Sequence, residues 1–227
     1  LTQVEHGMVV ENETSPEVME ARNGIVEFLL INHPLDCPVC DQAGECDLQN
    51  LSYEHGREQT RYEEGRREFN KIDIGPYVQL HMTRCILCYR YVSEISTYIQ
   101  NAIDKDFSGN IIDVCPVGAL TDKTYRFKQR VWFSKPFNAH RSCTKCSGKT
   151  VLWMKGDDII RTTARKDKFG EVEEFICNEC RFDHKHASDW VIEGPRDMSD
   201  KSVISANKYE LPVISPAVNV DAKFVSE

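Results

Sequence analysis

Apolar positions along this chain switch between helical and strand spacing in short blocks, and no block is long. Gly7-Met-Val-Val-Glu11 reads as a short strand followed by a polar turn. Ser15-Pro16-Glu17 is a helix start, with Ser15 as cap, proline at the first helical position and an acid near the positive helix end. Ala21, Ile25, Phe28 and Leu29 then recur at helical spacing and predict an amphipathic helix that packs on the loop behind it. From Leu48 to Phe69 the chain is polar, with Arg57, Arg61, Arg66 and Arg67 among glutamates, and reads as a solvated, salt-bridged helix. Lys71 to Met82 alternates into a short strand. Thr121 can cap a further helix carrying Tyr125, Phe127 and Val131, whose basic face of Lys123, Arg126, Lys128 and Arg130 is either solvated or docks an acidic partner. Thr150 to Thr163 predicts two strands joined at Gly156-Asp157. Past Trp190 the periodicity is lost, and residues 196–227 read as an extended tail whose Tyr209–Pro216 segment suits wrapping a neighbouring subunit.

These blocks predict an α+β protein of small units, each with a thin core of its own. The longest apolar run, Ile25 to Ile31, is broken by Glu27, so no stretch is long enough to span a bilayer as a helix. The net charge of -8 is spread over interspersed acids and bases. Phosphate binding needs a positive face, so nucleic acid is not the expected partner.

The ten cysteines change the picture most. Most fall in C-x2-C pairs, which favours metal ligation over a disulfide framework and a reducing compartment over an exported one. His33-Pro-Leu-Asp-Cys37-Pro-Val-Cys40-Asp-Gln-Ala-Gly-Glu-Cys46 spaces one imidazole and three thiolates as H-x3-C-x2-C-x5-C in a loop containing Pro34, Pro38 and Gly44. Soft thiolate and imidazole ligands suit both zinc and iron–sulfur clusters, and the ligand set alone does not choose between them.

The longer stretch from Asn32 to Gln49 resembles the His(Cys)3 motif of the large iron–sulfur subunit (the G subunit) of NADH:quinone oxidoreductase, respiratory complex I. The motif type also resembles relatives in NAD-linked hydrogenases and formate dehydrogenases. The resemblance implies a [4Fe-4S] cluster on His33, Cys37, Cys40 and Cys46. Thr83-Arg84-Cys85-Ile-Leu-Cys88 and Asn110-Ile-Ile-Asp-Val-Cys115-Pro116-Val-Gly118-Ala-Leu-Thr121 resemble the two halves of the family's ferredoxin-like motif. That implies a second cluster on Cys85, Cys88 and Cys115, either [4Fe-4S] or [3Fe-4S], because Tyr91 stands where the family has a third closely spaced cysteine. Either a segment with that ligand is missing or this protein lacks it.

Cys143-Thr-Lys-Cys146 and Cys177-Asn-Glu-Cys180 are two further knuckles flanking the expected hairpin, and by spacing they resemble a zinc ribbon. Many family members carry an additional [4Fe-4S] cluster here on C-x2-C-x3-C and a later cysteine. In this chain the third of those positions is Thr150 and Cys180 is extra, so zinc and [4Fe-4S] both stay open at Cys143, Cys146, Cys177 and Cys180. His184 and His186 follow the last knuckle and are read as surface groups or as neighbours of the ligands.

The domains expected are a helical His(Cys)3 cluster domain over residues 1–78, a ferredoxin-like domain over 79–135, a β-rich four-cysteine metal domain over 136–195 and the tail over 196–227. The resemblance implies an electron-relay subunit that passes electrons from a flavin-bearing, NADH-oxidising partner toward quinone, together with other subunits of the hydrophilic arm. It implies a peripheral place on the cytoplasmic side of the bacterial inner membrane, or the matrix side in a mitochondrion, reached only through partners. It further implies a short form without the family's [2Fe-2S] and molybdopterin-type domains. No catalytic residue is expected. The rival readings are a diaphorase-side subunit of an NAD-linked hydrogenase or formate dehydrogenase, and a zinc-stabilised scaffold with no redox role.

Overall fold

A computed structural model describes residue 3 and residues 5–10, 15–88, 106–167, 170–196 and 218–219. The Tyr91 question and the tail segment at residues 209–216 lie outside the described residues. Val9–Val10 (β1) pairs antiparallel with Val218–Asn219 (β9), and two further antiparallel sheets carry the rest.

Helix α1 spans Pro16–Leu30 and starts as expected, with Pro16 in its first turn. Ser15 does not bond a backbone amide; its hydroxyl donates to the Glu17 carboxylate at 2.7 Å. The buried stripe is rotated from the one the spacing predicts. Ile25 and Phe28 are 61% and 73% exposed, whereas Val26 is buried and Leu29 and Leu30 lie against the core. Glu27, half-buried, pairs with Arg57 and Arg61.

The second helix, α2, covers only Asp47–His55 rather than running on to Phe69. Beyond Gly56 the chain has charge but no apolar stripe to bury, and a helix of that length needs a packed face. The segment is instead held as irregular backbone by side-chain clamps described below.

Ile72–Ile74 (β2) and Val78–Leu80 (β3) form a tight hairpin rather than one strand, turning at Gly75, which takes φ +75°. Leu120–Asp122 (β4) adds to β3, with Leu80 opposite Leu120. Here the expected helix from Thr121 does not form. Leu120 and Asp122 are drawn into the sheet, and the Asp122 carboxylate accepts from the Thr124 and Tyr125 N–H groups, closing a turn in place of a helix. The basic residues are consequently dispersed. Lys123 pairs with Asp73 at 3.0 Å, and Arg130 reaches the first cysteine loop.

Ile111–Val114 forms a single turn, α3, just before Cys115. Lys135–His140 (β5), Thr150–Lys155 (β6), Asp158–Ala164 (β7) and Val191–Pro195 (β8) build a four-stranded sheet in the order β7-β6-β5-β8. The hairpin expected at Gly156-Asp157 is the β6–β7 pair. Strand β6 is covered on both faces, as a central strand can be. Leu152 and Met154 join the cluster around Cys177 and Cys180, while Val151 and Trp153 pack on Val131.

The sheets are locked to each other by the segment after Cys180. Phe182 inserts into the core of the β2-β3-β4 sheet and stacks on Tyr77 at 4.0 Å between ring centroids. Arg181, 1% exposed, pairs with Asp113 of α3 and also donates to Asn110 Oδ1 and the Thr162 carbonyl. Gly109 sits under this segment, and a Cβ there would lie 2.8 Å from Arg181 Cδ and 2.9 Å from Phe182 Cε2.

Candidate metal centres

Residues 33–46 leave α1, make one turn of 3-10 helix over Cys37–Val39, turn again at Gly44 with φ +86°, and re-enter helix at α2. This compact loop brings His33, Cys37, Cys40 and Cys46 to the wall of one small cavity, together with Asp36, Arg84 and Gly118. Cys40 and Cys46 are buried and Cys37 is exposed at the rim. Burial pushes the Cys40 thiol up and the Cys46 thiol to about 11, so ligation there must displace protons. His33 is held neutral first by burial and then by the charge of Arg84, and its Nδ1 is buried with no hydrogen-bond partner. A neutral imidazole and three thiols around one cavity are a donor set that fits a soft-metal centre.

Four basic side chains from outside the loop fix it. Arg66 donates to the His33 carbonyl at 2.9 Å, and Arg130 to the Cys40 carbonyl at 2.7 Å. Arg84 is buried and grips the Asp36 carboxylate at 2.7 Å. Arg161 pairs with Glu45 at 2.5 Å and lies 4.7 Å from the ring centres of Tyr125 and Trp153. Sequence reasoning marks none of the four as a site residue. The one available signal is that Arg84 adjoins Cys85 of the second motif.

In the second motif, Cys85 and Cys115 reach the core beside the first loop, and Cys88 is half-buried. Cys85 and Cys115 pack against the same apolar cluster as Cys46, whose other buried members are Leu48, Val117 and Ala119. Cys85 Sγ accepts the Leu87 N–H at 3.3 Å, where Leu87 takes φ +53°. Burial raises the Cys85 thiol and takes the Cys115 thiol to about 11, and the charge of Cys88 raises both further. The two sites touch at Gly118, whose α-carbon faces Cys40 so closely that a Cβ would sit 2.2 Å from its Sγ. Gly118→Ala should therefore displace Cys40, costing about 1–3 kcal/mol by overpacking. Thermal unfolding with iron content would check this; an unchanged melt and full iron would contradict the close approach.

Cys143, Cys146, Cys177 and Cys180 form the tightest group, with all four sulfurs within 4.8 Å of one another. Cys143 Sγ is 3.8 Å from Cys177 Sγ, and Cys146 Sγ is 3.7 Å from those of Cys177 and Cys180. Each sulfur accepts at least one N–H: Lys145 to Cys143, Gly148 to Cys146, Cys180 to Cys177, and the Arg141 guanidinium to Cys180. Burial opposes the Cys143 thiolate, but backbone donors outweigh it and bring this thiol down to about 6. His184 stays outside the group, facing Glu179 at 3.4 Å and edge-on to Trp190.

Among the described residues, no helix is long and apolar enough to cross a membrane. Residues 22–61 match the NADH-ubiquinone oxidoreductase-G iron–sulfur binding region, and residues 91–121 match the ferredoxin-like domain of NADH-quinone oxidoreductase subunit 3. The G subunit of NADH-quinone oxidoreductase from Rickettsia felis is 37% identical over 203 residues, 80% of this chain and 30% of that protein. The NADH-ubiquinone oxidoreductase 75 kDa subunit of Reclinomonas americana is 40% identical over 188 residues, 74% of this chain and 27% of that protein. A chain in the crystal structure of an NAD+-reducing [NiFe]-hydrogenase in the H2-reduced state is similar at TM-score 0.44 and 23% identity, over 52% of this chain and 60% of that one. The chain thus spans about 30% of the length of the curated relatives it matches. Over that span, with both family models matched, it belongs to the family of NADH-quinone oxidoreductase G subunits, the 75 kDa subunits among them.

Proposed function

We propose that this chain is an electron-relay segment of an NADH-quinone oxidoreductase, with one [4Fe-4S] cluster on His33, Cys37, Cys40 and Cys46. A second centre, [4Fe-4S] or [3Fe-4S], is held by Cys85, Cys88 and Cys115. The observation that carries this reading is the shared wall: Cys46 of the first motif and Cys85 and Cys115 of the second pack on one apolar cluster, and Gly118 closes the space beside Cys40. Such clusters, when bound, take up and release one electron at a time.

The chain's own residues do the rest. Leu48, Val117 and Ala119 are almost fully buried in the cluster on which both sites pack and keep water from it. Arg66 and Arg130 hold the carbonyls of His33 and Cys40, so the ligand loop need not reorganise when charge changes. Arg84 places a buried positive charge beside the first site, which favours the more negative, reduced state. A flavin-bearing NADH-oxidising subunit is the expected electron donor, and further subunits of the peripheral arm carry the electrons toward quinone. Membrane association comes through those partners.

His33 supplies the test. A neutral imidazole removes one negative charge from the ligand set compared with a thiolate, so His33→Cys should keep the cluster and lower its midpoint potential. A potentiometric titration of the anaerobic protein reads this directly. A potential that stays put or rises would exclude His33 as a ligand and weaken the assignment of the first site.

A further inference from the structure

We infer that Cys143, Cys146, Cys177 and Cys180 bind a single zinc ion as a structural brace, and that this centre stands outside the electron relay. The separation of the sulfurs decides between the two metals. A Zn–S bond of about 2.3 Å in tetrahedral geometry puts neighbouring sulfurs about 3.8 Å apart. Three of the sulfur pairs lie at 3.7 to 3.8 Å, and all four sulfurs lie within 4.8 Å of one another. In a cubane each thiolate sits on a different iron, with inorganic sulfide between the irons, so the thiolates stand much further apart than they do around one ion.

The surroundings fit the same conclusion. Cys177 and Cys180 are 0% exposed and packed among Ala139, Leu152, Met154, Ile159 and Trp190, which closes the space a larger centre would fill. Each sulfur already accepts at least one N–H, which stabilises the thiolate form a metal needs. The first knuckle is shaped for it by Gly148, which takes φ +71° and whose Cβ, if present, would lie 2.0 Å from the Arg141 carbonyl oxygen.

What the ion would brace follows from the chain on either side of the second knuckle. Ile176, Asn178, Arg181 and Phe182 are the residues that engage Asn110, Ser108, Asp113 and Tyr77, next to the loop that delivers Cys115. A fixed tetrahedral centre at Cys177 and Cys180 holds this strut in place. The zinc assignment stands on the sulfur geometry alone; only the importance of the braced loop rests on the relay reading.

The test is X-ray absorption at the zinc edge on the full chain purified anaerobically, with zinc, iron and sulfide measured on the same sample. The expected result is about one zinc per chain with four sulfur neighbours at about 2.3 Å and no iron neighbour. Cys143→Ser should lose that zinc, whereas Cys37→Ser should lose iron and sulfide and keep it. Zinc bound through nitrogen or oxygen, or a Cys143→Ser chain that loses iron and sulfide while zinc is unchanged, would overturn the proposal. The zinc measurements do not depend on the iron sites, so failure of the relay reading would leave the zinc result standing.

Discussion

Arg181→Ala should lower the unfolding free energy by about 3–5 kcal/mol, because it removes one half of a fully buried ion pair and strands the other. Asp113 is itself buried, and with Arg181 gone its carboxylate would keep only the Ala164 N–H as a hydrogen-bond partner across the interface. Arg181 also carries the Thr162 carbonyl and Asn110, so the loss spreads from the four-stranded sheet to the turn before Cys115. Denaturant unfolding of the metal-loaded chain measures it. The double variant Arg181→Met with Asp113→Leu should recover much of the loss, since removing both charges leaves none unpaired. A single-variant cost below about 1 kcal/mol would mean that water reaches the pair and that the two sheets are not locked there.

Cys46→Ser should strip the first centre. Cys46 is the one ligand of the first set that also packs in the core shared with the second motif, so no other sulfur can take its place without moving Leu48 and Val117. Iron and sulfide should fall by about four per chain, and the signal from the first site should vanish from the spectrum of the reduced protein. The zinc content should not change. Retention of full iron would place the cluster elsewhere.

What can be read from the chain beforehand is local. The H-x3-C-x2-C-x5-C spacing, the later knuckle pairs and the β6–β7 hairpin are each encoded within a few residues, and spacing exposes them. The failures share a cause in tertiary packing. The charged stretch after Gly56 has helical composition but no face to bury, and it is pinned instead by bonds such as Arg66 to His33, 33 residues apart. Thr121 looks like a cap until Leu80 is known to lie opposite Leu120, which claims the segment for the sheet. Ile25 and Phe28 are apolar at the right spacing, yet α1 turns Val26 and Leu29 inward because the core it meets is the short one around Leu48. The buried arginines are invisible for the same reason: Arg181 meets Asp113 across 68 residues, and no local pattern marks either.

The two metal readings also separate on geometry rather than on sequence. Spacing permits zinc or a cluster at the last four cysteines, whereas three of their sulfur pairs lie at the separation expected around a single ion. The first site shows the opposite character: four donors around a cavity, an imidazole nitrogen without a partner, and arginines braced behind the loop.

The most direct measurement of the relay reading is the number of electrons the anaerobically purified chain takes up in a reductive titration, followed by low-temperature EPR and counted against iron and sulfide. Two centres sharing one wall should accept about two electrons per chain, with about seven or eight irons and a signal from each site. A chain that accepts no electrons and carries zinc at every site would contradict the account and leave a zinc-stabilised scaffold in its place.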